Sequence, residues 1–203
     1  WAKQRYDGMA KPLGRSVLYF DALVAVAHLM ISQRGATSSD GAGAAEFLGF
    51  VDTEAYLQLA MLADGADEGS RFVHLMDESI IDEGAVAENC DRYLEILQAL
   101  FIKGQRMVAP GYTTYAVESL KRLRITVLPH SGRNLTIGGH VPPEVVTRCM
   151  KRMAAWVQLA KHVVHSEFPE FEVMRSFSVF NLSSEAANVA DEDATKPVKS
   201  RLS

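Results

Sequence analysis

The sequence has only two cysteines, no long apolar run and no surplus of positive charge. Cys90 and Cys149 both fall in stretches with helical periodicity, so we expect buried thiols rather than a disulfide framework, in a cytoplasmic or nuclear compartment. The longest apolar run, 17–31, is interrupted by Asp21 and His28 and is shorter than the roughly 20 residues that span a bilayer, so no membrane partner is expected. The 21 Lys and Arg against 25 Asp and Glu give a net charge of −4, which argues against broad attraction to nucleic acid.

Motifs of self-sufficient catalysis are missing as well. Neither cysteine has a nucleophile signature and no serine lies in a G-x-S-x-G elbow, so nothing local supports acyl transfer. The glycines at 35, 41, 43, 138 and 139 fit neither the P-loop nor the dinucleotide fingerprint and are predicted to lie in loops. His162 and His165 are three residues apart near Glu167, but they lack the H-E-x-x-H pattern, and we interpret them as surface residues. We expect no catalytic residue, cofactor or metal site in this chain alone.

Acidic residues are concentrated between positions 64 and 83. Paired carboxylates can hold Mg²⁺ or share acid and base roles, but helix starts and solvated helix faces also carry Asp and Glu. We favour caps and solvated faces, and a helical metal enzyme stays the alternative if these side chains converge in a cleft. The cluster consists of Asp64, Asp67, Glu68, Asp77, Glu78, Asp82 and Glu83.

Helical periodicity dominates the chain, and an apolar fraction of 48% can supply a sizeable core. The pattern predicts a mainly α, multi-helix globular bundle with one small β-hairpin and a disordered C-terminal tail. Residues 1–182 form the single helical domain and 183–203 the tail. Helices are predicted over 16–31, 52–63, 72–76, 82–103, 113–123 and from Pro142 to Pro169. A mobile connection is predicted at 34–43 and a helix break near Gly65 or Gly69. Residues 125–128 and 135–137 are predicted to form the hairpin, and residues 171–180 a last short element.

Basic residues gather around the predicted hairpin and at the start of the longest helix. They can form a local phosphate-facing patch that binds duplex DNA weakly at low salt. The alternative is a solvated helix face, because Glu118 and Glu144 lie among them and no aromatic residues are interleaved to stack bases. The DNA-contact candidates are Arg122, Arg124, Arg133, Arg148, Lys151 and Arg152, with Lys121 beside them.

Three stretches of the chain resemble the hAT superfamily of DNA transposases and the host proteins derived from them. The first is KQRYDGMAKPLGRSVLYFDALVAVAHLM, with Arg5-Tyr6 where the family has an Arg-Trp pair. The second is FLGFVDTEAYLQLAMLADGADE, with Leu62-Ala63-Asp64 at an L-x-D phrase, and the third is EFPEFEVMRSFSVFNL, with Asn181 where an Asp is common. The resemblance covers roughly residues 1 to 182.

This resemblance implies an RNase H-like catalytic core with three acidic residues and a helical insertion, and the chain is similar to the helical part. No acidic residue here matches the catalytic set. The chain starts with Trp rather than Met, so we expect a fragment of a larger protein. The interpretation is a non-catalytic helical region that acts in self-association, as a homo-oligomer, or in positioning DNA. The alternative is a helical protein-interaction module unrelated to transposons.

Overall fold

A computed structural model describes residues 3–77, 83–127, 135–167 and 171–176. Within these residues the protein is mainly α-helical with a small antiparallel hairpin, as the periodicity predicts. The tail beyond residue 182, predicted to be disordered, lies outside the described residues. The helices are α1 (Lys3–Leu18), α2 (Phe20–Arg34), α3 (Ser39–Phe50), α4 (Thr53–Met76), α5 (Glu83–Leu97), α6 (Tyr112–Arg122), α7 (Pro143–Glu167) and α8 (Phe171–Ser176), and the strands are β1 (Arg124–Val127) and β2 (Leu135–Gly138).

The long helix α4 lies at the centre of the packing. It contacts α1, α5, α6 and α7, and Tyr56, Leu57, Ala60 and Met61 on its inner face are fully buried. Leu57 lies three positions before Ala60 and four before Met61, which is the spacing of residues on a single helical face. Its predicted start is confirmed, because the side chain of Asp52 accepts a 2.6 Å hydrogen bond from the amide of Ala55 and so caps the helix.

The predicted break in α4 near Gly65 or Gly69 is wrong, since the helix runs through both glycines. A glycine costs a helix interior only about 1 kcal/mol relative to alanine, which tertiary packing can offset. Gly65 provides such packing. A Cβ at this position would lie 3.0 Å from the ring of Trp156, so the missing side chain lets α7 approach α4 closely.

The helix predicted over 16–31 is divided in the structure between α1 and α2. The chain bends by 81° between α1 and α2, at Tyr19. Two tyrosine hydroxyl groups stabilise the bend. The hydroxyl of Tyr56 donates to the carbonyl of Val17 at 3.0 Å, and the hydroxyl of Tyr115 donates to the carbonyl of Leu18 at 3.4 Å. These carbonyls belong to the last turn of α1, where a helix has no amide partners of its own.

The predicted mobile connection at 34–43 is shorter than expected. Helix α3 begins at Ser39 because the Ser38 hydroxyl accepts a 3.0 Å hydrogen bond from the amide of Gly41. Gly41 and Gly43 are therefore helical, contrary to the prediction that they lie in a loop. Gly35, with φ of +80°, ends α2 and begins the connection to α3.

The C-terminal half follows the predictions more closely. Helix α5 continues into a π-helical turn, Gln98–Ile102, and the chain then turns at Gly104, whose φ of +76° makes it the predicted stop. The hairpin pairs Ile125 with Ile137. Helix α7 is the longest helix described, and α8 packs on α5.

No single helix in the described ranges is both long and apolar enough to cross a membrane. The bent pair Ala10–Leu18 and Phe20–Arg34 reaches that length and composition only when its two parts are taken together.

Candidate interaction surface

The acidic residue Asp64 is buried and fastens α4 to α6. Its Oδ1 accepts a 2.9 Å hydrogen bond from the amide of Tyr112, and its Oδ2 accepts from the amide and hydroxyl of Thr113 at 2.8 and 2.6 Å. These amides belong to the first turn of α6, which has no intrahelical acceptors for them. Asp64 is thus the cap of a helix that begins 48 residues later, a cap role that the sequence predicts only in general terms.

A buried arginine completes this cluster. Arg106 is 5% exposed, its Nε lies 3.4 Å from Oδ2 of Asp64, and its Nη2 donates to the carbonyls of Ala109 and Pro110. The Nε contact is an ion pair rather than a hydrogen bond, since Nε makes no hydrogen bond in the described chain. A Cβ at Gly111 would come within 2.5 Å of Asp64 Oδ1, so this glycine lets the cluster close.

The other described acids do not converge on a metal. Arg71 pairs with Asp67 at 2.8 Å and with Glu68 at 3.1 Å on the surface of α4, and Asp77 is exposed at its end. Burial raises the pKa of Glu68. Glu78, Asp82 and the side chain of Glu83 lie outside the description. Among the described residues no group of three or more His, Cys, Asp or Glu could hold a metal ion.

The basic candidates fall into two groups. Arg122 and Arg124 are exposed where α6 leads into β1, whereas Arg148, Lys151 and Arg152 are exposed on α7. Arg133 lies outside the described residues. In the part of the chain that is described, no hydrogen bond or ion pair joins the two groups.

The α7 group is partly neutralised by a carboxylate that sequence reasoning missed. Glu54 accepts a 2.9 Å hydrogen bond from Nε of Arg148 and forms an ion pair with Nη1 of Arg152 at 2.7 Å. The hydrogen bond from Arg148 is the main cause that lowers the pKa of Glu54. At the other group, Lys121 pairs with Glu118 at 2.5 Å. A phosphate would have to compete with these acids for three of the seven basic side chains.

The two thiols are buried, and the two histidines near the end of α7 lie on the surface. Cys90 and Cys149 are both free and buried, and burial raises the pKa of each to about 11. A thiol with so high a pKa holds little of the thiolate form that acts as a nucleophile. His162 and His165 are exposed near the end of α7, where we expected surface residues.

Helix α2 carries apolar side chains on its outer side as well as on its inner side. Its inner face is buried, through Phe20, Val24, Ala27 and Ile31. On its outer side Leu23 is 41% exposed, Val26 51% and Leu29 52%. Residues 22–33 contain no Asp, Glu, Lys or Arg. A helix that is apolar all round is normally covered on all sides, so α2 leaves unusual apolar surface in solvent.

A line of apolar side chains runs along α2 from the buried Phe20 to the exposed outer side. Phe20, Leu23, Val26 and Leu29 are each three residues apart, a step that rises about 4.5 Å and falls about 60° short of a full turn. The line therefore leaves the core at Phe20 and passes obliquely to the outer side of α2. We call Leu23, Val26 and Leu29 the apolar ridge. Ridges of this i, i+3 type are one of the two kinds through which helices interlock.

A groove between α3 and α4 begins where this line starts. Its volume is about 480 Å³, and only Glu46 among its lining residues is charged. Phe50, the last residue of α3, stands at the groove and is 74% exposed. The lining residues are Phe20, Gly43, Glu46, Phe47, Phe50, Val51, Ala55 and Leu59. We call this the α3–α4 groove.

The exposure of α2 differs from what the helical periodicity predicts. The pattern over 16–31 predicts one helix with a single core-facing side that includes Leu23. In the structure Leu23 is partly exposed, because the bend at Tyr19 rotates α2 relative to α1. The sequence feature that indicates this surface is the absence of charge over residues 22–33, since an ordinary surface helix carries charged residues on its outer side.

No protein family, curated protein or solved structure matches this chain. The resemblance to the hAT superfamily therefore stays a prediction.

Proposed function

We propose that this chain is a helical self-association module in which two copies pack against each other through the apolar ridge of α2. One observation carries the proposal. The outer side of α2 has three large aliphatic side chains about half exposed within a 12-residue stretch that has no charged residue. Elsewhere the exposed apolar residues include single ones such as Val108 and Val173, and the pair Leu159 and Val163 on α7, between which Lys161 lies. Contiguous apolar surface of this kind marks a contact site, whereas isolated apolar residues do not.

A second copy fits the electrostatics of this surface. In a two-fold symmetric interface each residue near the axis meets its own equivalent, so charged residues there would face like charges. Because residues 22–33 carry no formal charge, two copies of α2 can approach without this penalty. The ridge also repeats at a spacing suited to helix–helix packing.

The size of the surface indicates a weak, reversible dimer. A 15-residue helix is about 22 Å long and two packed helices are about 20 Å wide, so α2 and α3 offer roughly 440 Å² per copy. The total of roughly 900 Å² lies below the 1,200–2,000 Å² that stable interfaces bury. We therefore expect dissociation in the micromolar range or above.

Self-association is better supported than DNA positioning, which stays a prediction. The net charge is −4, and Glu54 already binds Arg148 and Arg152. An association surface needs no such competing contact to be broken. The proposed function holds whether or not the chain derives from a transposase.

Sedimentation velocity of the purified chain, from about 1 µM to about 1 mM, tests the proposal over the range of weak homodimers. The wild-type chain should shift reversibly from monomer to dimer. Val26→Glu and Val26→Lys should each be monomeric, because each places like charges across the two-fold axis, and an equimolar mixture of the two should dimerise again. Val108→Glu is the matched control, since Val108 is 82% exposed outside the surface, and it should behave like the wild type.

A wild-type chain that stays monomeric throughout this range would overturn the proposal, and so would a Val26→Glu variant that dimerises like the wild type. A monomer that instead binds anionic lipid vesicles would assign the ridge to a membrane surface. Circular dichroism of each variant shows whether its fold is retained.

A further inference from the structure

We propose that Phe50 of one copy inserts into the α3–α4 groove of the other copy, an inference that rests on the self-association proposed above. The side chain of Phe50 and the α3–α4 groove then fix how the two copies meet. The ridge by itself would allow many crossing angles, whereas an aromatic side chain in a cavity selects one.

Phe50 is exposed at a rigid corner of the fold. The amide of Val51 donates to the carbonyl of Phe47 at 3.1 Å, and Asp52 caps α4 immediately afterwards. The backbone on both sides of Phe50 is therefore held, and an aromatic side chain with few rotatable bonds loses little freedom on binding. Buried aromatic side chains of this kind are common energetic centres of interfaces.

The groove suits an aromatic occupant. Phe20 lines it and is stacked on Tyr56, with ring centroids 4.0 Å apart, so this wall is anchored in the core. Gly43 leaves room on the opposite helix, since a Cβ added there would meet nothing within 4 Å. A volume of about 480 Å³ falls within the range of cavities that take small ligands.

Two-fold symmetry makes the exchange reciprocal. Phe50 stands at its own groove, so an axis beside the groove lets both copies insert Phe50 at the same time. Phe20 lines the groove and lies one helical step before Leu23, so the groove is next to the start of the ridge. Insertion also adds buried area to a ridge contact that is small for a stable dimer.

The dissociation constant of the full chain, measured by sedimentation equilibrium, tests the insertion with two variants. Phe50→Ala removes the inserted side chain, and Gly43→Gln fills the groove at a position where the fold has free space. Each should weaken the dimer at least about tenfold, the effect of losing an interface anchor. Val108→Ala and Gly49→Gln are the controls for Phe50→Ala and Gly43→Gln. Gly49 lies in the same helix as Gly43 and also has free space around it, but it does not line the groove. The dissociation constants of both controls should stay within about twofold of the wild type.

Replacement of Phe50 by the photoreactive p-benzoylphenylalanine, in a mixture of light and ¹⁵N-labelled chains, should give crosslinks between chains at Ala55 or Leu59. A wild-type dimer that both variants leave intact, or crosslinks confined to one chain, would overturn the insertion alone. A monomeric wild type would overturn the self-association as well. If Phe50→Ala proves misfolded, the comparison of Gly43→Gln with Gly49→Gln decides.

Discussion

Replacement of Asp64 by alanine should destabilise the protein far more than replacement of its neighbour Asp67. Asp64 is 4% exposed, accepts three hydrogen bonds from the start of α6 and pairs with the buried Arg106. The alanine would leave two amides and a hydroxyl without their acceptor, and the buried guanidinium group of Arg106 without its counter-ion. The perturbation therefore removes a helix cap and also leaves a buried charge uncompensated.

The expected loss follows from these two effects. Loss of a helix cap costs about 0.5–2 kcal/mol, and removal of one partner from a buried ion pair costs about 3–5 kcal/mol. The two contributions are not additive, because both concern the same carboxylate. We therefore expect the free energy of unfolding to fall by about 3–5 kcal/mol. For a chain of this size, 1 kcal/mol lowers the Tm by about 2–4 °C, so the Tm should fall by about 6–20 °C.

Urea unfolding followed by circular dichroism measures the change in the free energy of unfolding. Asp67→Ala is the control, since it removes only an exposed pair with Arg71 and should cost less than about 1 kcal/mol. Hydrogen exchange gives a local readout, because the amides of Tyr112 and Thr113 should exchange faster in Asp64→Ala. A loss below about 1 kcal/mol, or unchanged exchange at both amides, would refute the assignment of Asp64 as the fastening between α4 and α6.

Two further predictions concern the core. Trp156→Ala should lower the free energy of unfolding, measured in urea, by about 3–5 kcal/mol, as truncations of large aromatic residues do. The reason is that Trp156 packs on Gly65 and its ring lies edge-on to that of Phe101, with the centroids 6.1 Å apart. A loss below about 1 kcal/mol would place the ring outside the core. Burial raises the pKa of Tyr56 to about 12, above the value of about 10 for an unfolded chain. The folded state thus retains a proton that the unfolded state loses, so stability should be intact below about pH 10 and fall as the pH rises towards about 12. Urea titrations from about pH 8 to pH 12 should show a shallower fall for Tyr56→Phe than for the wild type, and equal slopes would contradict this origin.

The positions of most helices could be predicted because helix formation is local. Asp52 caps α4 through the amide three residues later, and the apolar residues of α7 recur at the spacing of one face, so a short stretch of sequence contains the necessary information. The stop at Gly104 depends only on the freedom of glycine to adopt a positive φ. The pairing of Ile125 with Ile137 likewise joins residues close in sequence.

The candidate surface could be predicted only in part. The absence of charge over residues 22–33 is visible in the sequence, but the exposure of Leu23 and Val26 depends on the bend at Tyr19. That bend is held by the hydroxyl of Tyr115, 97 residues beyond the carbonyl of Leu18 to which it donates. The groove beside Phe50 depends in turn on how α3 and α4 pack.

The sequence by itself determined the mainly helical composition and the hairpin, since these follow from periodicity and from turn chemistry. Only the tertiary structure decided which side of α2 remains uncovered, why α4 continues through Gly65, and which partners the charged residues take. Asp64 meets Tyr112 across 48 residues, and Glu54 meets Arg148 across 94. The physical reason is that a cap or an ion pair between distant residues depends on the packing of whole helices, which no local pattern of residues specifies.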